Sequence, residues 1–228
     1  MLNKRITQII YKSVYLVISI IGILFGLHAF ESFDSETLQY NLFFFTNLSN
    51  YACVIYILIE FIMLIIKYCK GEKEGKYTLN YPIKFCFFIS ILLTFLVANT
   101  MLGDSFGYIF QAKYWENKMN VFMHLFMPLM YILDFIVLSN RHQMKWYYPF
   151  YSLIFPVIYL SIIFIRASLL PSTYEGMLYP YPFLNIEQLG IGNVILIIIG
   201  LCAIFLAIGF IYFGIDKIKT KKEKQLSI

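Results

Sequence analysis

Six stretches of this chain are long, continuous and apolar, and most of its charged residues fall between them. The stretches cover residues 9–30, 43–68, 83–102, 119–139, 148–169 and 190–215. Each is long enough to cross the roughly 30 Å hydrocarbon core of a bilayer as a helix. None alternates apolar and polar residues with period two, as barrel strands do, and an isolated segment in lipid must satisfy its own backbone hydrogen bonds. The pattern predicts an all-α polytopic membrane protein with six transmembrane helices in one domain over 1–216, followed by a basic tail at 217–228.

Composition agrees with this reading and closes off others. With 60% hydrophobic residues, 14% charged residues and a mean hydropathy of +0.72, the chain cannot cover an ordinary water-soluble domain. The first apolar run follows Lys4 and Arg5, as a signal peptide would, but it is too long and lacks a small-residue cleavage site, so it reads as a retained helix. If the amino terminus lies in the cytoplasm, every Lys and Arg except Lys113, Lys118 and Arg166 falls on the inner side. The positive-inside rule therefore predicts both termini cytoplasmic, and the net charge of +5 reads as topology with no nucleic-acid partner. Cys53, Cys69, Cys86 and Cys202 lie within helices or at their inner ends, so neither a disulfide framework, a metal site nor a cofactor is expected.

Chemistry is sought where polar residues interrupt the apolar runs, because such groups are costly in a membrane unless they find partners. Thr46 and His124 each fall a few residues inside the outer end of a predicted helix, with Thr46 roughly 5 Å in at about 1.5 Å per residue. Thr46, Asn50 and Cys53 recur at spacings of four and three, with Asn47 at the edge of that face. Asn120, His124, Met127, Tyr131 and Asp134 form a second stripe. Both stripes are expected to face the bundle interior and to build a polar pocket near the outer leaflet.

Pro128 has no N–H to donate to the carbonyl of His124, which predicts a free carbonyl and a bend there. His28 and Arg166 fall near the same outer level. Glu60 and Asp134 lie deeper, and Asp134 is roughly 15 Å along the axis from His124, too far to orient its ring. Each of these residues also has a plain structural explanation. Thr46 can bond the carbonyl of Leu42, His124 and His28 can be packing residues, Arg166 can snorkel to the headgroups, and the two acids can be structural hydrogen-bond partners. Gly22 and Gly26 form a small-residue spacing that permits close helix packing.

Three stretches together resemble the bacterial Pr6Pr membrane proteins, which are similar to the androgen-induced, Far-17a-like family of multipass hydrolases. They are Phe45-Thr46-Asn47-Leu48-Ser49-Asn50; His124 with Pro128 and Asp134; and Trp146, Pro149, Tyr159, Arg166 and Tyr179-Pro180-Tyr181-Pro182-Phe183-Leu184. The resemblance implies a bacterial cytoplasmic-membrane location, an intramembrane threonine nucleophile and a histidine that cleave esters of hydroxy fatty acids. Carried over by position, these are Thr46 and His124. A neutral histidine has the pKa range to take the threonine proton at physiological pH. Asn47 and Asn50 are candidate oxyanion donors, and Arg166 a candidate for holding a substrate carboxylate.

The expected function is hydrolysis of a lipid-like ester, with membrane lipids as partners. Two other readings stay open: a small-solute or proton-coupled transporter that uses Glu60 and Asp134, and a non-enzymatic scaffold in which the polar stripes fix helix register.

Overall fold

A computed structural model describes residues 4–27, 29, 41–100, 109–140, 143–169 and 178–225. Among the described residues are six helices long and apolar enough to cross a membrane. They are α1 (Arg5–Gly26), α2 (Phe45–Cys69), α3 (Tyr81–Thr100), α4 (Lys118–Leu138), α5 (Tyr148–Leu169) and α6 (Ile191–Gln225). The fold is all-α and polytopic, as predicted. The outermost boundaries differ most in consequence: α1 begins at Arg5, ahead of the predicted residue 9, and α6 continues through most of the segment read as a basic tail.

Local signals explain several boundaries. α2 stops where the N–H of Gly71 bonds the carbonyl of Tyr68 and the N–H of Glu72 reaches back to Lys67, a paired closure that needs the positive φ of 89° at Gly71. Asn117 starts α4 by accepting the N–H of Asn120 at 2.9 Å. In α5 a short turn at Tyr148–Tyr151 precedes the main helix Ile154–Leu169, and Pro156 denies the carbonyl of Ser152 its usual donor. Within α4 the backbone widens into π-type turns at Phe122–Phe126 and Asp134–Leu138. Such turns are rare and are frequent at functional sites, and here each contains one of the polar residues of the α4 stripe.

Helices α1 to α4 form a closed bundle in which α1 meets α2, α2 meets α3, α3 meets α4 and α4 returns to α1. α5 and α6 pack against the far side of α3. The two small residues of α1 allow the return contact. A Cβ built on Gly22 would lie 2.7 Å from Met127 Sδ and 3.0 Å from Phe122 Cβ, so α1 and α4 approach as closely as a glycine permits. Aromatic rings fill the opposite interface: Phe88 stacks on Phe135 at 4.3 Å between centroids, and Tyr212 of α6 closes over both. Large aliphatic side chains such as Ile10, Ile55 and Ile199 point outward, which in a membrane is the lipid-facing side.

Candidate functional site

Thr46 lines a partly open cavity of about 350 Å³ bordered by α2, α3, α5, α6 and the loop before α6. Its walls are mostly apolar, with Phe45, Leu93, Tyr159, Leu184, Ile198 and Phe205 among them. This volume falls within the roughly 300–1,000 Å³ range of small-molecule sites. Thr46 sits one residue inside the start of α2, where backbone N–H groups have no helical partner. No side chain of the preceding Phe44 caps that end. Tyr181 does so from across the bundle: its hydroxyl accepts the N–H of Phe45 at 3.2 Å and also meets the side chain of Thr46. Burial pushes the Tyr181 hydroxyl up to about 12, so it stays protonated and able to donate.

His124 occupies the first widened turn of α4, is 8% exposed, and is not among the residues lining the cavity. Its Nδ1 is hydrogen-bonded to Asn120 Oδ1. A carboxamide oxygen only accepts, so Nδ1 carries the proton and Nε2 is left as the basic nitrogen. The carbonyl of His124, predicted to be free because Pro128 cannot reach it, is taken instead by Asn99 Nδ2 at 2.8 Å. Asn99 is itself held from Oδ1 by the Tyr114 hydroxyl at 2.7 Å. A neighbouring helix thus supplies the donor that proline lacks.

Asn50 joins the two halves of the predicted pair. Its Nδ2 lies 2.9 Å from the carbonyl of Thr46 and 2.9 Å from that of Met123, the residue before His124. Asn47 is turned elsewhere, its amide 3.4 Å from Asn41 Oδ1. The amide donors of both asparagines are therefore engaged with protein oxygens. The Tyr181 hydroxyl, which meets the Thr46 side chain and already takes the N–H of Phe45, stands beside Thr46 as a group for an oxyanion. Ser49 lies beside the cavity wall, its hydroxyl 3.1 Å from that of Thr94.

The buried acids lie in a separate place. Glu60 and Asp134 alternate with Lys12 and Lys84 in a closed ring contributed by α1, α2, α3 and α4. Lys12 Nζ is 2.5 Å from Glu60 Oε2 and 2.6 Å from Asp134 Oδ1. Lys84 Nζ is 2.9 Å from Glu60 Oε2 and 2.5 Å from Asp134 Oδ2. Glu60 Oε1 also accepts the N–H of Leu79 at 3.0 Å. None of the four side chains is more than 1% exposed, and their charges sum to zero. Sequence reasoning assigned Lys12 and Lys84 to the inner flanks. They are instead buried within the spans, because each finds two carboxylates there, and isolated ions at that depth would be prohibitive.

Arg166 does not line the cavity. Its guanidinium lies 4.5 Å from the ring of Phe43, and its Nη1 is buried with no hydrogen-bond partner among the described residues. His28 lies outside the described residues. Sequence reasoning missed the roles of Tyr181, Asn99 and Asn120 toward the pair. The Tyr179–Phe183 segment was singled out as a motif, but nothing in its spacing points to the start of α2. No family model, curated protein or solved structure matches the chain.

Proposed function

We propose that this membrane protein hydrolyses a lipid-like ester at Thr46. The observation that carries the reading is the position of Thr46 on an apolar cavity of ligand size. The backbone of Thr46 is tied through Asn50 to the residue before His124. Cavities of this kind bury an apolar ligand and orient it by a few polar groups, here Thr46 and Tyr181.

Threonine is a weak nucleophile until a base removes its proton. In the proposed reaction His124 Nε2 takes that proton, directly or through one water, while Asn120 holds the ring in the required tautomer. The Thr46 oxygen then bonds to the ester carbonyl carbon. The carbonyl oxygen becomes an oxyanion stabilised by the Tyr181 hydroxyl. Collapse expels the alcohol, which receives the proton from His124. Water activated by the same ring then hydrolyses the acyl-Thr46 ester and releases the acid.

The test is labelling of the detergent-solubilised protein by a fluorophosphonate, comparing the natural protein with Thr46→Ala and His124→Ala. Labelling that both substitutions abolish, with helical content retained, supports the reading. A natural protein that takes no label, or a Thr46→Ala variant labelled as strongly, removes its basis.

A further inference from the structure

We infer that water bound between Tyr15, Ser19 and Asn50 links the buried ion ring to the turn of α4 that carries His124, and that protons cross the bundle along this path. The path is separate from the apolar cavity and does not depend on hydrolysis at Thr46.

A hydroxyl inside a span ordinarily finds a protein oxygen one turn back or on a neighbouring segment. Several in this bundle do. Ser13, Ser90 and Ser161 donate to the carbonyl four residues earlier, and the hydroxyls of Tyr11, Tyr56 and Tyr131 donate to carbonyls of other segments. Tyr15 and Ser19 differ. Both are at most 1% exposed, and neither hydroxyl has a hydrogen-bond partner among the described residues. Asn50 is fully buried as well, and although its Nδ2 is taken by two carbonyls, its Oδ1 is likewise unpartnered there. The three groups gather around Cys53. The Tyr15 hydroxyl faces the side chains of Ser19 and Cys53, and Asn50 lies three residues from Cys53 on one face of α2. An internal water typically makes about three hydrogen bonds to buried groups that are otherwise unsatisfied. Two hydroxyls, each able to donate and accept, and one carboxamide oxygen supply that number.

On its inner side this site adjoins the ring. Lys12 lies three residues from Tyr15 on the same face of α1, and the Tyr15 hydroxyl feels the charge of Asp134. The ring in turn meets the loop before α3, where Glu60 Oε1 accepts the N–H of Leu79. On the outer side Asn50 reaches the carbonyl of Met123, next to His124, and beyond it Asn120 Nδ2 is again buried without a partner among the described residues. Asn117, three residues further out, is exposed. Buried polar groups thus follow one another along the α1–α4 bundle. The carrier is a proton. Lys12 and Lys84 repel a metal cation, and the close approach of α1 and α4 at Gly22, one turn outward of Ser19, leaves little width for a hydrated ion. A hydroxyl or a water accepts one proton on a lone pair and releases another, so charge moves while the oxygens stay in place.

The test is proton flux into vesicles of phosphatidylcholine and phosphatidylglycerol that hold the full chain, the dye pyranine and a high internal potassium concentration, with valinomycin added to set an inside-negative potential. These vesicles should acidify faster than protein-free ones. Tyr15→Phe and Ser19→Ala should each remove most of that excess, and Ser161→Ala, on the exposed side of α5, should remove none. Unfolding temperatures of the variants guard against misfolding as the cause, and the smaller Ser19→Ala change carries the test if Tyr15→Phe does not fold. No excess in the natural protein, or an excess kept by both variants, would overturn the path. Acidification that proceeds without valinomycin would show potassium passing as well and would overturn the proton as sole carrier. No ester is present, so failure of the hydrolase proposal leaves this one standing.

Discussion

Lys12 Nζ lies 2.6 Å from Asp134 Oδ1 inside the bundle, and neither side chain is more than 1% exposed. The contact is one edge of the ring that ties α1, α2, α3 and α4 together. Removing one member of a buried ion pair leaves an uncompensated charge, at a cost of about 3–5 kcal/mol, whereas removing a balanced pair is often far milder. Lys12→Met should therefore destabilise the protein by about that amount. Lys12→Met with Asp134→Leu should recover much of the loss, since Lys84 and Glu60 remain paired at 2.9 Å. Unfolding in detergent measures both, and losses that simply add would contradict a charge-balance role for the ring.

The capture of the His124 carbonyl by Asn99 predicts a coupling with Pro128. Asn99→Leu should cost about 1–3 kcal/mol by leaving a buried carbonyl unpaired. In a Pro128→Ala background the restored N–H can serve that carbonyl, and the same substitution should cost less. A double-mutant cycle on stability gives the interaction directly. Equal costs in the two backgrounds would mean that Asn99 does not compensate for the proline.

Tyr181 is predicted to act on rate. Loss of one oxyanion donor typically lowers kcat by about 100- to 1,000-fold. Tyr181→Phe should therefore reduce turnover of a p-nitrophenyl laurate substrate by roughly that factor with KM little changed. A variant with normal kcat, or one altered only in KM, would confine Tyr181 to capping α2.

The six spans were legible in the sequence because continuous apolar runs leave few alternatives. The burial of the α4 stripe was legible too: Asn120, His124, Met127, Tyr131 and Asp134 are all buried. The ring was half legible. Glu60 and Asp134 stood out as acids in greasy helices, while Lys12 and Lys84 lay near the ends of apolar runs and read as ordinary positive flanks. Periodicity shows which residues share one helix face, but pairing across helices depends on tertiary packing. The same limit hid Tyr181, whose partner lies 136 positions away along the chain, and Asn99, whose role depends on a proline in another helix.

Glu72 supplies a pH dependence outside the spans. A hydrogen bond from Arg5, 2.7 Å away, holds its carboxyl below the ordinary value of 4.5 and links the start of α1 to the loop after α2. A lowered folded-state pKa means that the contribution is present above the unfolded-state value and is lost as pH falls through the folded-state value. The loop at 70–76 should become less protected from amide exchange on acidification below about pH 4, an effect that Glu72→Gln removes. Equal acid sensitivity in that variant would assign the change to another group.

The most direct measurement of the central claim is a peptide map after brief incubation with p-nitrophenyl laurate and an acid quench. A lauroyl adduct is expected on the peptide containing Thr46, absent in Thr46→Ala and strongly reduced in His124→Ala. Turnover of the ester with no adduct at Thr46, or an adduct that survives Thr46→Ala, would contradict it.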